Sequence, residues 1–220
     1  MKATSGRDDF FTQIHKAIRW GLFDMAGSIG RLDIDDHEAL EHMAQSWRRL
    51  SALLYAHTWH EETFIYPLAE AKAPQSSHLR HLEHQDLDAV VGRLDEAMTQ
   101  LTSTPGQPSP DMVLAFGRDL SDFIAAYLPH LLEEELTVMP LLWSTCDDNE
   151  LKACREAFMA SVGEDENLLT LELMFASLDT TELRAVVDGC RAAGGRTWEQ
   201  LIDVAGRVGS THQRQVLGLG

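Results

Sequence analysis

Apolar residues recur every three or four positions along nearly the whole chain, and the strict alternation that marks a strand is almost absent. The pattern predicts an all-helical protein. Phe11, His15, Ile18 and Leu22 mark a first helix over about residues 8–27, closed by Gly27 and Gly30. Asp35, with Glu38 three residues on, suits the N-cap of a long second helix carrying Leu50, Leu53, Leu54, Ile65 and Leu68. After the loop AKAPQSS, a third helix is expected from about Ser77 to Leu101, with Leu87, Val91, Leu94 and Met98 on one face. The segment TSTPGQPSP reads as a linker. Pro110 suits the first turn of a fourth helix that carries Phe116, Leu120 and Phe123 and runs to about Pro140.

Four long helices with short connections predict an antiparallel up-and-down four-helix bundle over residues 1–147. Further helical patterns near 148–177, 180–193 and 197–216 make residues 148–220 a C-terminal helical extension. Its apolar stripes, among them Leu168, Leu171, Phe175 and Leu178, lack metal-binding side chains. They are expected to pack on the bundle or against a second copy of the chain, making a homo-oligomer.

Composition narrows the function. With 44% apolar and 24% charged residues the chain has the make-up of a folded globular protein. Eighteen basic against 35 acidic residues give a formal charge of -17, which repels a nucleic-acid backbone and an anionic membrane surface alike. No apolar run is long enough to span a bilayer, and the acidic opening MKATSGRDDFF is unlike a secretory signal, so a cytoplasmic location is expected. Cys146, Cys154 and Cys190 form no C-x-x-C pair and read as reduced thiols.

The histidines carry more information. His57-Thr-Trp-His-Glu61-Glu62-Thr-Phe-Ile-Tyr-Pro67-Leu68 and His130-Leu-Leu-Glu-Glu134-Glu135-Leu-Thr-Val-Met-Pro140-Leu141 share five identities at one offset of 73 residues. His15 and His84, offset by 69, each sit on the helix preceding one copy, so the bundle reads as two hairpins of one pattern. A His followed four residues later by Glu is weak alone, and His37 with Glu41 is a third instance. The shared Glu, Pro and Leu raise the other two. Four residues of α-helix advance about 6 Å and rotate about 40°, so His57 with Glu61, and His130 with Glu134, each share a face on which a metal can bind. Both pairs lie on apolar stripes, Leu50, Leu53, Leu54, Ile65 and Leu68 in one helix and Phe116, Leu120, Phe123, Val138 and Leu141 in the other. Two carboxylates aimed at a core demand cations, and Arg80 alone cannot serve both. Imidazole nitrogens mixed with carboxylate oxygens suit iron, manganese or zinc.

These residues resemble the hemerythrin-like (HHE cation-binding) family, whose four-helix bundle binds a pair of non-haem irons; the similarity covers roughly residues 8–145. The resemblance implies His15, His57, Glu61, His84, His130 and Glu134 as ligands, with the two glutamates bridging the metals. Oxygen-carrying members place two histidines four residues apart on the third helix, where this chain has Arg80 before His84 and Asp88 after it. His81, about 60° round the helix, reaches the site only with bending. His60 points off the ligand stripe by a similar angle, which suits a supporting or surface position. Glu135 is the alternative to Glu134, with Glu62 its repeat partner. His37, His42 and His212 read as solvated, and Pro129 is expected to bend the fourth helix.

The leading expectation is a binding protein, a di-iron centre that binds or senses dioxygen, nitric oxide or peroxide, or buffers iron. An enzyme activating oxygen or decomposing peroxide is the alternative, and a metal-free helical interaction module is the third. No P-loop, dinucleotide fingerprint or nucleophile elbow offers a different chemistry.

Overall fold

The protein is described by a computed structural model over residues 6–103 and 108–219. Residues 104–107 of the expected linker, and residues 1–5 of the opening, lie outside the described residues. Among those described, all regular structure is helical: α1 (Thr12–Gly30), α2 (His37–His60), α3 (Tyr66–Lys72), α4 (His78–Ser103), α5 (Pro110–Glu133), α6 (Met139–Thr145) and, in the extension, α7 (Asp148–Ser161), α8 (Glu164–Ser177), α9 (Thr180–Ala193), α10 (Gly195–Val208) and α11 (Thr211–Leu217). None of these is long and apolar enough to cross a membrane.

Local chemistry sets the ends of the elements. Asp9 accepts from the backbone of Phe11 and Thr12, so α1 begins at Thr12 and not near residue 8. It also runs through Gly27 to Gly30, because Ile29 is buried in the core and Arg31 donates to the Gly27 carbonyl. Asp36, not Asp35, caps α2 through the Ala39 amide. The patterns read near 148–177 and 197–216 each divide in two, at Val162 with Gly163 and at Gly209 with Ser210. Pro129 sits within α5 without ending it.

The continuous helical stretches that include α2 with α3, and α5 with α6, hold a feature that the 3.6-residue period does not predict. Between α2 and α3 the chain makes a π-helical turn, π1 (Glu61–Ile65), and between α5 and α6 another, π2 (Glu134–Val138). The amide of Tyr66 bonds the Glu61 carbonyl and that of Met139 the Glu134 carbonyl, five residues back in each case. Each wide turn precedes a proline, Pro67 or Pro140, whose ring would clash with the carbonyl four residues behind it in a regular helix. The extra residue moves the apolar stripe by one. Ala69 and Leu142 are fully buried, while the expected core positions Leu68 and Leu141 are only partly so.

The helix α1 packs on α2 and α5, and α4 packs on the same two. Their main core includes Leu22, Trp47, Leu54, Leu94, Phe116 and Leu120. A second apolar cluster, with Phe11, Ile65, Tyr66, Val138, Met139 and Leu142, lies beyond the π turns. In the extension α8 is apolar on two sides. Leu169 and Leu173 join the main core against α1 and α2, while Leu171 and Phe175 join a third cluster with Leu183, Val187 and Leu201. Close approach of α1 requires Gly21, where a Cβ would fall 3.0 Å from Leu50 Cδ1 and 3.5 Å from Leu173 Cδ2.

Ending the chain after Asp147 removes Leu169 and Leu173 and bares the face of α1 and α2 beneath them. Two buried leucines contribute about 1.5–3 kcal/mol each, so the melting temperature is expected to fall by roughly 10 °C, with aggregation on heating. A shortened chain that stays monomeric and melts with the full-length protein would contradict this packing role.

Candidate metal centre

Between the main core and the cluster beyond the π turns lie six polar side chains. His15 comes from α1, His57 from the end of α2, Glu61 from the start of π1, His84 from α4, His130 from α5 and Glu134 from the start of π2. All six are at most 6% exposed. They form two groups with ligand-type atoms mutually within 4.8 Å: His15, His57, Glu61 and Glu134 in one, and His84, His130, Glu61 and Glu134 in the other. Both glutamates belong to both groups.

Each carboxylate turns one oxygen to each histidine pair. Glu61 Oε1 lies 3.1 Å from His57 Nε2 and 3.8 Å from His15 Nε2, while its Oε2 lies 3.2 Å from His84 Nε2. Glu134 Oε2 lies 3.5 Å from His15 Nε2, while its Oε1 lies 3.5 Å from His130 Nε2 and 3.8 Å from His84 Nε2.

Three imidazoles are held from behind by carboxylates. His15 Nδ1 donates to Glu135 Oε1 at 2.9 Å, His84 Nδ1 to Glu62 Oε1 at 2.8 Å, and His130 Nδ1 to Glu83 Oε2 at 2.9 Å. A proton fixed on Nδ1 leaves Nε2 as the lone pair facing the cluster, the arrangement of a metal-binding histidine. Arg19 steadies Glu135, and Arg80 steadies Glu83 at 2.7 Å instead of neutralising either central glutamate. Glu135 and Glu62 thus take one matched role, behind the histidines of α1 and α4.

Sequence reasoning passed over Tyr66 and Glu83. The Tyr66 hydroxyl donates to Glu134 Oε1 and lies 3.3 Å from His84 Nε2, with its ring stacked on His84 at 5.2 Å between centroids. The signal was present as a mismatch within the repeat, since Tyr66 faces Met139 at the same offset. Glu83 precedes His84 where Ile14 precedes His15, again a difference between the halves.

The remaining histidines stand apart. His81 is half exposed, bonds Glu62 Oε2 at 2.8 Å and joins neither group. His60 is buried, but it packs edge-on against Phe158 at 4.6 Å and faces Glu166 Oε1 at 3.3 Å, tying α2 to the extension. His37, His42 and His212 are exposed.

The donor set fits a cation. Six atoms that face the cluster have no hydrogen-bond partner among the described residues: Nε2 of His15, His57 and His130, both oxygens of Glu61, and Oε2 of Glu134. The other two, His84 Nε2 and Glu134 Oε1, have the Tyr66 hydroxyl as hydrogen-bond partner. Unpaired buried carboxylates cost several kcal/mol, so protons or metals must compensate them. Without metal, the groups perturb one another. Burial pulls the His15 and His84 pKa down, but carboxylate hydrogen bonds and the charges of Glu61 and Glu134 outweigh it and raise each to about 9. Burial, only partly offset by Glu61, lowers His57 to about 3. Burial and the neighbouring Glu61 charge push Glu134 up, while Glu61 itself is held low by His57, His15 and His84 against the effect of burial.

Comparison with known proteins agrees with this chemistry. The family model described as Hemerythrin HHE cation binding domain matches residues 7–142, which include all six side chains. No curated protein and no solved structure matches.

Proposed function

The chain belongs to the hemerythrin HHE cation-binding family, and from that premise we propose that it is a non-haem di-iron protein which binds or senses dioxygen, nitric oxide or peroxide, or buffers iron. The observation that carries this reading is that each of two buried carboxylates turns one oxygen to each of two histidine pairs. In this assignment His15 and His57 would hold one metal and His84 and His130 the other, with Glu61 and Glu134 available to both. Iron bound there would supply one-electron chemistry toward a small ligand. The protein orients the imidazoles through Glu135, Glu62 and Glu83 and shields them beneath apolar side chains, which favours small neutral molecules.

The frame we assign to the site is an antiparallel up-and-down bundle of four helical columns within residues 1–147, with residues 148–220 as an extension. Three free cysteines, at 146, 154 and 190, suit a reducing, cytoplasmic setting. The Tyr66 hydroxyl, which donates a hydrogen bond to Glu134 at the edge of the centre and could orient peroxide there, supports a second reading in which the centre decomposes peroxide. Steady-state peroxide turnover separates that enzyme from a binder.

The direct test is metal analysis with an absorption spectrum of the reduced protein before and after oxygen exposure. Two irons per chain and an oxygen-dependent visible band are expected. Preferred uptake of manganese or zinc would move the assignment to those ions. Iron-supplied protein that holds no metal, and melts identically with and without chelator, would overturn it in favour of an interaction module.

A further inference from the structure

The repeated hairpins should offer two equivalent approaches to the centre, one over each histidine pair. They do not. Over the His84 side lies a surface cleft of about 300 Å³ whose walls include Glu62, Tyr66, Glu70, His78 and His81. Two of these residues also touch the centre: Glu62 accepts from His84 Nδ1, and the Tyr66 hydroxyl faces His84 Nε2.

On the His15 side the matching place is filled. The offset of 73 puts Met139 where the first half has Tyr66, and Trp143 where it has Glu70; the offset of 69 puts Asp9 where it has His78. There the segment before α1 lies across the approach. The Phe10 amide donates to the Met139 sulfur at 3.4 Å, Trp143 Nε1 donates to the Asp8 carbonyl at 2.8 Å, and Arg7 bonds the carbonyls of Trp143 and Cys146. Phe11 is wholly buried, with its ring 5.3 Å from that of His15. One half of the pattern has received an apolar plug and the other has kept a polar opening.

Resting on the di-iron reading, we propose that the cleft over Tyr66 is the route by which small ligands reach the centre, with the Tyr66 ring as its gate. Tyr66 is only 3% exposed, and its ring lies nearly parallel to His84, with an interplanar angle of 10°. The hydrogen bond from its hydroxyl to Glu134 holds the gate shut, and a turn of that one side chain, breaking this bond, would open the cleft floor onto the His84 and His130 position. An incoming ligand therefore meets that position first. Glu62 and Glu70 on the walls disfavour anions and leave neutral diatomics as the best-suited cargo.

The experiment measures the rate at which nitric oxide binds the reduced, iron-loaded full-length protein. The deciding variant is His78→Trp, which fills the cleft mouth from an exposed position and leaves the six ligands untouched. It is expected to slow binding by about fivefold or more at unchanged iron content, whereas Tyr66→Ala is expected to speed it by a similar factor. Leu114→Trp adds the same ring at an exposed site on α5 outside the cleft and should leave the rate unchanged. A wild-type rate in His78→Trp at full iron content would overturn the proposal. Failure of the di-iron reading is distinguishable, because the unsubstituted protein would then not take up two irons per chain.

Discussion

Replacing Glu134 with alanine is expected to empty both metal positions, and Glu61→Ala to do the same. The reason is the sharing of oxygens. Each glutamate contributes to both groups of four side chains, so one substitution removes a ligand atom from each. The expected loss of affinity at both positions exceeds the roughly 10–100-fold that follows removal of a mere supporting residue. His57→Ala, which belongs to one group only, should lower iron content by about half. Metal analysis of the three variants checks the pattern, and two irons retained in either glutamate variant would defeat the shared assignment. Stability supplies a second reading of the same variants. A chain lacking Glu134 also leaves the buried His15 and His84 protons and the Tyr66 hydroxyl short of a partner, so its metal-free form should melt below the metal-free parent. The gain in melting temperature on adding iron should vanish, since metal affinity for the folded chain adds directly to its stability.

The metal-free protein should lose stability steeply with rising pH, and iron should abolish that loss. His15 and His84 hold their protons to about pH 9 in the folded chain, against about 6.5 when unfolded. Their contribution is complete below pH 6.5 and disappears as pH rises through 9. Each shift corresponds to about 3 kcal/mol, an order-of-magnitude figure for fully buried groups. Glu134, also raised, acts in the same direction from a lower starting pH. His57 acts oppositely: neutral in the fold down to about pH 3, it favours folding above its unfolded pKa and loses that contribution on acidification. Bound cations take over the compensation that the protons supply, so the loaded protein should show a flat profile from pH 6.5 to 9. Thermal melts of chelated and iron-loaded samples across that range decide the matter, and parallel curves would refute it.

The long helices and four of the six central side chains were legible because each depends on local spacing. Apolar period marked α1, α2, α4 and α5, and the doubled His-to-Glu motif marked His57, Glu61, His130 and Glu134, whereas His15 and His84 rested on the resemblance to the hemerythrin-like family and a matched offset. What escaped depends on geometry between elements or on a break of period. Glu83 supports His130 across two helices, and no spacing within one helix encodes that contact. Tyr66 was hidden because a search for identities discards the positions at which two repeats differ. The double role of α8 was invisible for a related reason: a helix apolar on two sides shows no dominant stripe, and only the packing reveals that one side serves the bundle and the other the extension.

The π turns act on each column as a dislocation acts in a crystal. One surplus residue shifts everything downstream by about 100° of azimuth, while the helix axis continues from α2 into α3 and from α5 into α6. Each column therefore carries two phases of the same wave. The first phase directs Leu50 and Leu54, or Phe116, Leu120 and Phe123, toward the main core. The second directs Tyr66 and Ala69, or Met139 and Leu142, into a different cluster. Glu61 and Glu134 occupy the two phase boundaries. The cluster of donors thus lies at a seam between two separately packed blocks, where neither block's apolar repeat dictates which side chain must point inward.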